Sequence, residues 1–512
     1  MSGDPTRRHR QAPMEMSPQA FREAGHALVD AVADFLESLP ERPVNRDETP
    51  SALRALLPPD LPEEGTSPSR LIEETVPLLV EHSLFNGHPR FFGYVTSSAA
   101  PLGALADMLA SAINPNVGGW QLSPIASEIE GQCVRWIAQL LGLPSETEGL
   151  LVSGGNMANF ACFLAARRAK AGAEIREKGL GEDRRRFLIY ASTETHTWIQ
   201  KTADLFGYGT ENIRWIPTRE DSCVDIEALR RQVANDEASH HRPFFVVGNA
   251  GTVSTGAVDA LPEMAQLARE HDLWFHVDGA YGALAAMTAV APRELDGLRE
   301  ADSVAVDPHK WLYAPLEAGC VLVRHPGALA EAFSYSPPYY RFAGEEEEPR
   351  TNYYGLGMQN SRGFRALKVW LGLRQAGRAG YERMIGDDIR LARELFRFVG
   401  EAPELEALTQ GLSITTFRYV PPELQGSGGN VEAYLNELNE ELLSRLKRSG
   451  EAFLSNAVIA GKFALRACIV NFRTGIDDVE ALPGIVVRHG RAVDRATRPE
   501  ALRDHARPGS GR

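Results

Sequence analysis

Asp307-Pro308-His309-Lys310-Trp311 is the stretch on which the reading of this chain turns. The residues before it, Ser303 to Val306, have the small and apolar character of a buried strand, so a lysine and a histidine stand at a strand's exit. Upstream, Leu273-Trp274-Phe275-His276-Val277 reads the same way and runs into Asp278-Gly279-Ala280-Tyr281. One strand end delivers a carboxylate and a later one delivers an amine.

That pair is what a pyridoxal phosphate enzyme needs. Lysine forms the Schiff base, and aspartate pairs with the protonated pyridine nitrogen so that the ring stays an electron sink. Each residue has a plainer reading: Lys310 as a surface lysine after a strand, Asp278 as a helix N-cap. Gly279 and Ala280 are small enough for a flat ring to lie against the backbone. Ser153-Gly154-Gly155-Asn156-Met157 precedes a helical pattern, and such a turn binds phosphate through free N–H groups and the helix dipole. It lacks the Gly-Lys-Ser/Thr ending of a nucleotide P-loop. His196 follows the predicted strand 187–190 and stacks on the pyridine face or simply packs in the core. Thr252, in Gly251-Thr252-Val253-Ser254-Thr255-Gly256, hydrogen-bonds near the ring or serves the turn.

The chain has 512 residues, long enough for two or three domains, and is 43% hydrophobic and 24% charged. Its net charge of -14 argues against nucleic acid as a partner, which would require a basic face. The cysteines Cys133, Cys162, Cys223, Cys320 and Cys468 have neither disulfide-frame nor metal-site spacing, so no metal is expected. No apolar run approaches the about 18 residues of a membrane span, and the basic N-terminus lacks the apolar core of a signal peptide. The expectation is a cytoplasmic protein acting on a small molecule, without a membrane partner.

Apolar spacing predicts helices over 18–39 and 70–82, joined by a Pro- and Glu-rich arm from Pro40 to Pro68. From about 90 to 370, apolar strands at 187–190, 244–247, 273–277, 303–306 and 320–323 alternate with helices at 156–170, 196–206, 226–233 and 262–270. This is an α/β pattern, a largely parallel sheet with helices on both faces, whose active residues belong at strand carboxyl ends. Ser334 to Tyr354 reads as a functional lid. Its run Glu345 to Glu348 selects a cationic substrate or is merely solvated. Helix from about Ser361 to Val399 leads into a β-α-β-β unit: 413–417, 431–447, 453–454 and 464–470. The expected division is an N-terminal helical arm (1–90), a large cofactor domain (91–385), a small α+β domain (386–497) and a disordered tail (498–512).

Together these residues resemble the group II pyridoxal-phosphate decarboxylases of aromatic amino acids, tyrosine, histidine and glutamate. The likeness runs from about 18 to 480. It is carried by His88-Pro89-Arg90-Phe91-Phe92-Gly93-Tyr94, Leu105-Ala106-Asp107-Met108, His276 to Tyr281, Asp307 to Trp311 and Arg362-Gly363-Phe364-Arg365-Ala366-Leu367-Lys368. The resemblance implies the fold-type I, aminotransferase-like architecture with a mostly parallel seven-stranded central sheet. It also implies a homodimer with its sites at the subunit interface and the N-terminal arm packed on the partner. It makes Lys310 the Schiff-base lysine, Asp278 the pyridine partner, Ala280 the small residue under the ring, His196 the stacking residue and Thr252 a cofactor contact. Gly155, Asn156 and Met157 fall at the phosphate turn, with His309 beside the lysine. Asp307 stands where the aromatic decarboxylases carry asparagine; it would repel a phosphate, or else cap neighbouring N–H groups. Tyr339, with Tyr340 adjacent, matches the loop tyrosine that returns a proton to Cα. Tyr94, Ser97 and Trp120 fall at the substrate pocket, where Asn86, Val95 and Gly118 replace larger residues. The expected reaction is decarboxylation of an aromatic L-amino acid to amine and CO2. Rivals are a non-aromatic substrate (2,4-diaminobutyrate, glutamate or a branched aliphatic), a decarboxylating aldehyde synthase or aminotransferase, and a non-catalytic scaffold.

Overall fold

The computed structural model describes residues 12–180, 186–335, 350–426 and 430–503. Its centre is a seven-stranded sheet of β1 (Glu148–Val152), β2 (Phe187–Ser192), β3 (Ile213–Ile216), β4 (Arg242–Asn249), β5 (Trp274–Asp278), β6 (Ser303–Val306) and β7 (Gly319–Val323), in the order β1-β7-β6-β5-β4-β2-β3. From β6 to β3 every pairing is parallel, while β7 is antiparallel to both β6 and β1. Two reversals cancel, so β1 runs with β6. The carboxyl ends of β1 to β6 therefore meet at one sheet edge, joined there by the start of β7.

Helices cover both faces, and each strand carries apolar residues on each side. Tyr190, Phe275 and Trp311 belong to one core, and Phe163, Phe244, Phe245 and Trp274 to the other. Burial on both faces is why β2, β6 and β7 read as unbroken small and apolar runs. Alternation along β5 sends Phe275 and Val277 to one face and Trp274, His276 and Asp278 to the other. The catalytic-type aspartate thus faces helix Gly155–Ala171.

A second sheet, β8 (Leu405–Gly411), β9 (Ile414–Tyr419), β10 (Ser455–Ile459) and β11 (Lys462–Cys468), is antiparallel in the order β10-β11-β9-β8. Helices Asn430–Ser449 and Ile476–Thr497 pack on it. The pair Phe453-Leu454, expected as a strand, precedes β10, and Phe453 instead bridges Phe91. Phe92 is buried in this small core, its N–H donating to Phe453 O at 2.8 Å. The expected boundary at 385/386 falls inside helix Ala366–Glu401, which bends at Gly377 (φ 64).

The N-terminal helices Pro18–Ser38 and Pro68–His82 pack on each other. The connector between them is anchored by Val44, buried against Phe91 and Phe453 and bonded to Gly450 O. Phe21, Leu28, Val29, Val32, Leu71 and Leu79 are left exposed. Among the described residues no helix is long and apolar enough to cross a membrane, and no His/Cys/Asp/Glu group could hold a metal ion.

Candidate active site

A cavity of about 360 Å³ opens at the carboxyl edge of the large sheet. It is lined by Gly155, Asn156, Met157, His196, Thr252, Asp278, Ala280, Asp307, His309 and Lys310. Residues from five strand ends, far apart in sequence, converge there. Val95, and Ser153 and Tyr281 from the quoted motifs, line it too, as do Asn159, Glu194 and Asn249, which were not singled out by sequence reasoning. Asn159 stands one turn beyond Asn156 on the same helix, a spacing that places both on one face.

Asp278 closes β5. Its Oδ2 accepts from Trp198 Nε1 at 2.7 Å and its Oδ1 from Ala280 N at 3.2 Å. Beneath it, His276 is fully buried between Asn159 Oδ1 (2.7 Å from Nε2) and Ser303 Oγ (2.9 Å from Nδ1). Burial pushes the His276 imidazole down to about 4, against the pull of Asp278, so it is a neutral hydrogen-bonding strut. His196 receives the N–H of Trp198 on Nδ1 at 3.3 Å. Burial lowers its pKa, with Asp278 opposing, so this ring too is neutral near pH 7. Thr252 hydroxyl lies 2.9 Å from that of Thr255 and accepts from Ala257 N, which holds the turn after β4.

Lys310 Nζ lies 3.1 Å from Asp307 Oδ2. Asp307 is 2% exposed, and its Oδ1 is buried without a partner. Among the described residues it caps no backbone N–H. Its partner is Lys310, with His309 Nε2 at 3.7 Å. His309 Nδ1 lies 2.6 Å from Ala318 O, and burial lowers its pKa despite Asp307.

The residues present fit pyridoxal phosphate. Ala158 N makes the first bond of helix Gly155–Ala171, to Gly154 O, so the N–H groups of Gly155, Asn156 and Met157 have no acceptor within the helix. A Cβ on Gly319 would fall 2.6 Å from the Gly154 backbone, so only glycine there lets that turn approach. Asp278, its two oxygens already oriented, lines one side of the same cavity and Lys310 another. An anion site, a carboxylate and an amine are the three handles of that cofactor.

The substrate positions are placed differently. Ser97 is buried and donates to His309 O at 2.7 Å. Tyr94 (φ 52, 55% exposed) packs on Phe453, and Trp120 donates to Glu128 and lies under Arg350; neither lines this cavity. Tyr339, Tyr340 and Glu345 to Glu348 lie outside the described residues. Of the other resembling stretches, Asp107 and Lys368 pair at 3.1 Å, and Arg362 is buried against Glu130.

The sequence profile described as "Pyridoxal-dependent decarboxylase conserved domain" matches residues 50–420. An aromatic-L-amino-acid decarboxylase of Bacillus atrophaeus is 34% identical over 472 residues, 91% of this chain and 94% of that protein. A phenylacetaldehyde synthase of a Rosa hybrid cultivar is 28% identical, over 93% and 95%. The structure of Oryza sativa TDC with PLP and tryptamine superposes with a TM-score of 0.86 at 26% identity, covering 94% of this chain and 99% of that one. Sequence, architecture and the lysine–aspartate cavity agree: the chain belongs to the pyridoxal-dependent decarboxylase family and is a pyridoxal-phosphate-dependent amino-acid decarboxylase.

Proposed function

We propose that this enzyme converts an aromatic L-amino acid to its amine and CO2. The observation that carries this reading is the convergence of Asp278, Lys310 and a free helix N-terminus in one cavity, in a chain 34% identical to an aromatic-L-amino-acid decarboxylase. Pyridoxal phosphate, when bound, supplies an electron sink for the bond between Cα and the carboxylate. The protein's own groups hold and orient. Asp278 would pair with the pyridine nitrogen, His196 would pack against the ring and the small Ala280 would leave room for it. Gly155, Asn156 and Met157 offer N–H groups to the phosphate, with Thr252 and His309 at the rim. Lys310, paired with Asp307, would be the residue that holds the cofactor through its aldehyde carbon, and Tyr339 would supply the proton to substrate Cα.

The enzyme is proposed to be a cytoplasmic homodimer. The apolar faces of the N-terminal helices, and Leu105, Leu109, Ile113, Leu122 and Ile125 beside them in the chain, are exposed in the single chain. A partner covering them would bring Tyr94 and Trp120 to the subunit interface, where the family's substrate pockets are expected.

A substrate panel tests the reading: Tyr, Phe, Trp, 3,4-dihydroxyphenylalanine, Glu, 2,4-diaminobutyrate and Val, with CO2 and organic product both quantified. Amine formed one-to-one with CO2 from an aromatic substrate, and lost in Lys310→Ala, is the expected result. Aldehyde with ammonia and peroxide would transfer the chain to the reaction named for its Rosa relative. Turnover confined to Glu, 2,4-diaminobutyrate or Val would overturn the substrate class.

A further inference from the structure

Trp198 is the first residue of helix Trp198–Leu205 and is fully buried. Its two N–H groups point to two different parts of the site. Its indole N–H donates to Asp278 Oδ2 at 2.7 Å, and its backbone N–H donates to His196 Nδ1 at 3.3 Å. Its ring stands edge-on to His276 at 5.5 Å, and His276 is itself pinned by Asn159 and Ser303. The indole therefore has little freedom to tilt, and the oxygen it grips has little freedom to turn. Phenylalanine would fill most of the same volume, so packing alone does not demand tryptophan here. The N–H is what distinguishes the two, and a buried indole N–H is kept where it has a partner.

We infer that Trp198 is a positioning residue: it orients Asp278 toward the cofactor's ring nitrogen and, through its backbone, sets the His196 ring on the adjoining wall. A carboxylate with one oxygen held by a neutral donor keeps a fixed direction. Removing the donor frees the carboxylate to rotate and loosens its hydrogen bond to the ring nitrogen. The inference rests on the reading of Asp278 as the ring-nitrogen partner.

A double-mutant cycle on the full-length protein separates the two claims. Cofactor affinity is measured by titrating pyridoxal phosphate into the stripped protein, for the parent, Trp198→Phe, Asp278→Asn and the double variant. The pH dependence of the bound cofactor's absorbance is recorded alongside. Trp198→Phe should weaken the cofactor about tenfold, the size of a lost hydrogen bond to a charged group, and should shift the absorbance profile along the pH axis. In the Asp278→Asn background the same change should cost less than about twofold. Equal losses in both backgrounds, with an unmoved pH profile, would make Trp198 a packing residue and overturn the inference. If Asp278→Asn binds the cofactor as the parent does, the role of Asp278 falls first. Should Trp198→Phe not fold, indole N–H resonances of the parent and Asp278→Ala decide. A downfield, slowly exchanging signal lost in Asp278→Ala is expected, and seven unchanged tryptophan signals would overturn the inference.

Discussion

A methyl group on Gly155 would lie 2.8 Å from Asp307 Oδ2 and 3.3 Å from Ala280 Cβ. The start of the helix and the lysine turn are in contact, with no room for a side chain between them. Gly155→Ala should therefore fold, displace the N–H groups and weaken pyridoxal phosphate binding about tenfold or more, read by titration of the stripped protein. Lys310→Ala removes the amine while leaving Asp278 and the helix start intact. It should bind the cofactor noncovalently, lose the absorbance of the lysine adduct and lose turnover by at least about a thousandfold. At this scale the sequence is a good guide to residues whose chemistry is specific: Lys310, Asp278 and His196 all line the cavity. It is a poor guide to Trp198 and Asn159, which act through contacts made across long stretches of chain. A tryptophan two residues after a histidine has many ordinary explanations until β5 is seen beside it.

Among the elements, β2, β4, β5, β6 and the antiparallel β7 are legible because strands covered on both faces are continuous apolar runs. β1 is hidden by Glu148 and Gly149 at its start; a Cβ added at Gly149 would strike Val321 O, so the glycine belongs to the pairing itself. Helix Ile476–Thr497 is masked by Pro483 in its interior. Helix Pro124–Leu140 is tied to β1 through Glu130, which accepts from Leu151 N at 2.8 Å and pairs with Arg362; Arg362 in turn donates to Leu151 O and Val117 O and lies over the Tyr353 ring. Arg362→Leu leaves Glu130 buried and unpaired and should cost about 3–5 kcal/mol, seen as a lower urea midpoint. Two buried groups give opposing pH effects. His276, lowered to about 4 by burial, contributes stability above its unfolded value that is lost as pH falls toward 4. Asp388 accepts from Trp311 Nε1 and Tyr313 Oη, and burial raises it to about 7. Its contribution is present in acid and is lost as pH rises through 4 to 7. Asp388→Asn should therefore lose stability more steeply on acidification than the parent, and His276→Gln less steeply. Parallel urea-midpoint curves between pH 7.5 and 4.5 would contradict this.

For the whole molecule, apolar side chains on the N-terminal helices and on Pro101–Ile113 stand exposed in the single chain. If they form the proposed dimer, Val32→Asp with Leu109→Glu should sediment as a monomer and lose activity, while the parent sediments as a dimer at the same concentration. A monomer with full turnover would show that each chain completes its own site. The sheet order carries a further consequence, for synthesis. Among the described residues β1 is the first strand made, yet it pairs with β7 alone, the last strand of its sheet, with Glu148 opposite Val323. Five strands intervene and a sixth, β7, must leave the ribosome before the first is paired, so closure of the sheet is a late, long-range event. A nascent chain halted just after Trp311 already contains Asp278, Lys310 and the glycine turn, yet lacks the strand that seats them together. Cofactor capture should begin only once β7 has emerged, which makes the vitamin-derived ligand a reporter of completed folding.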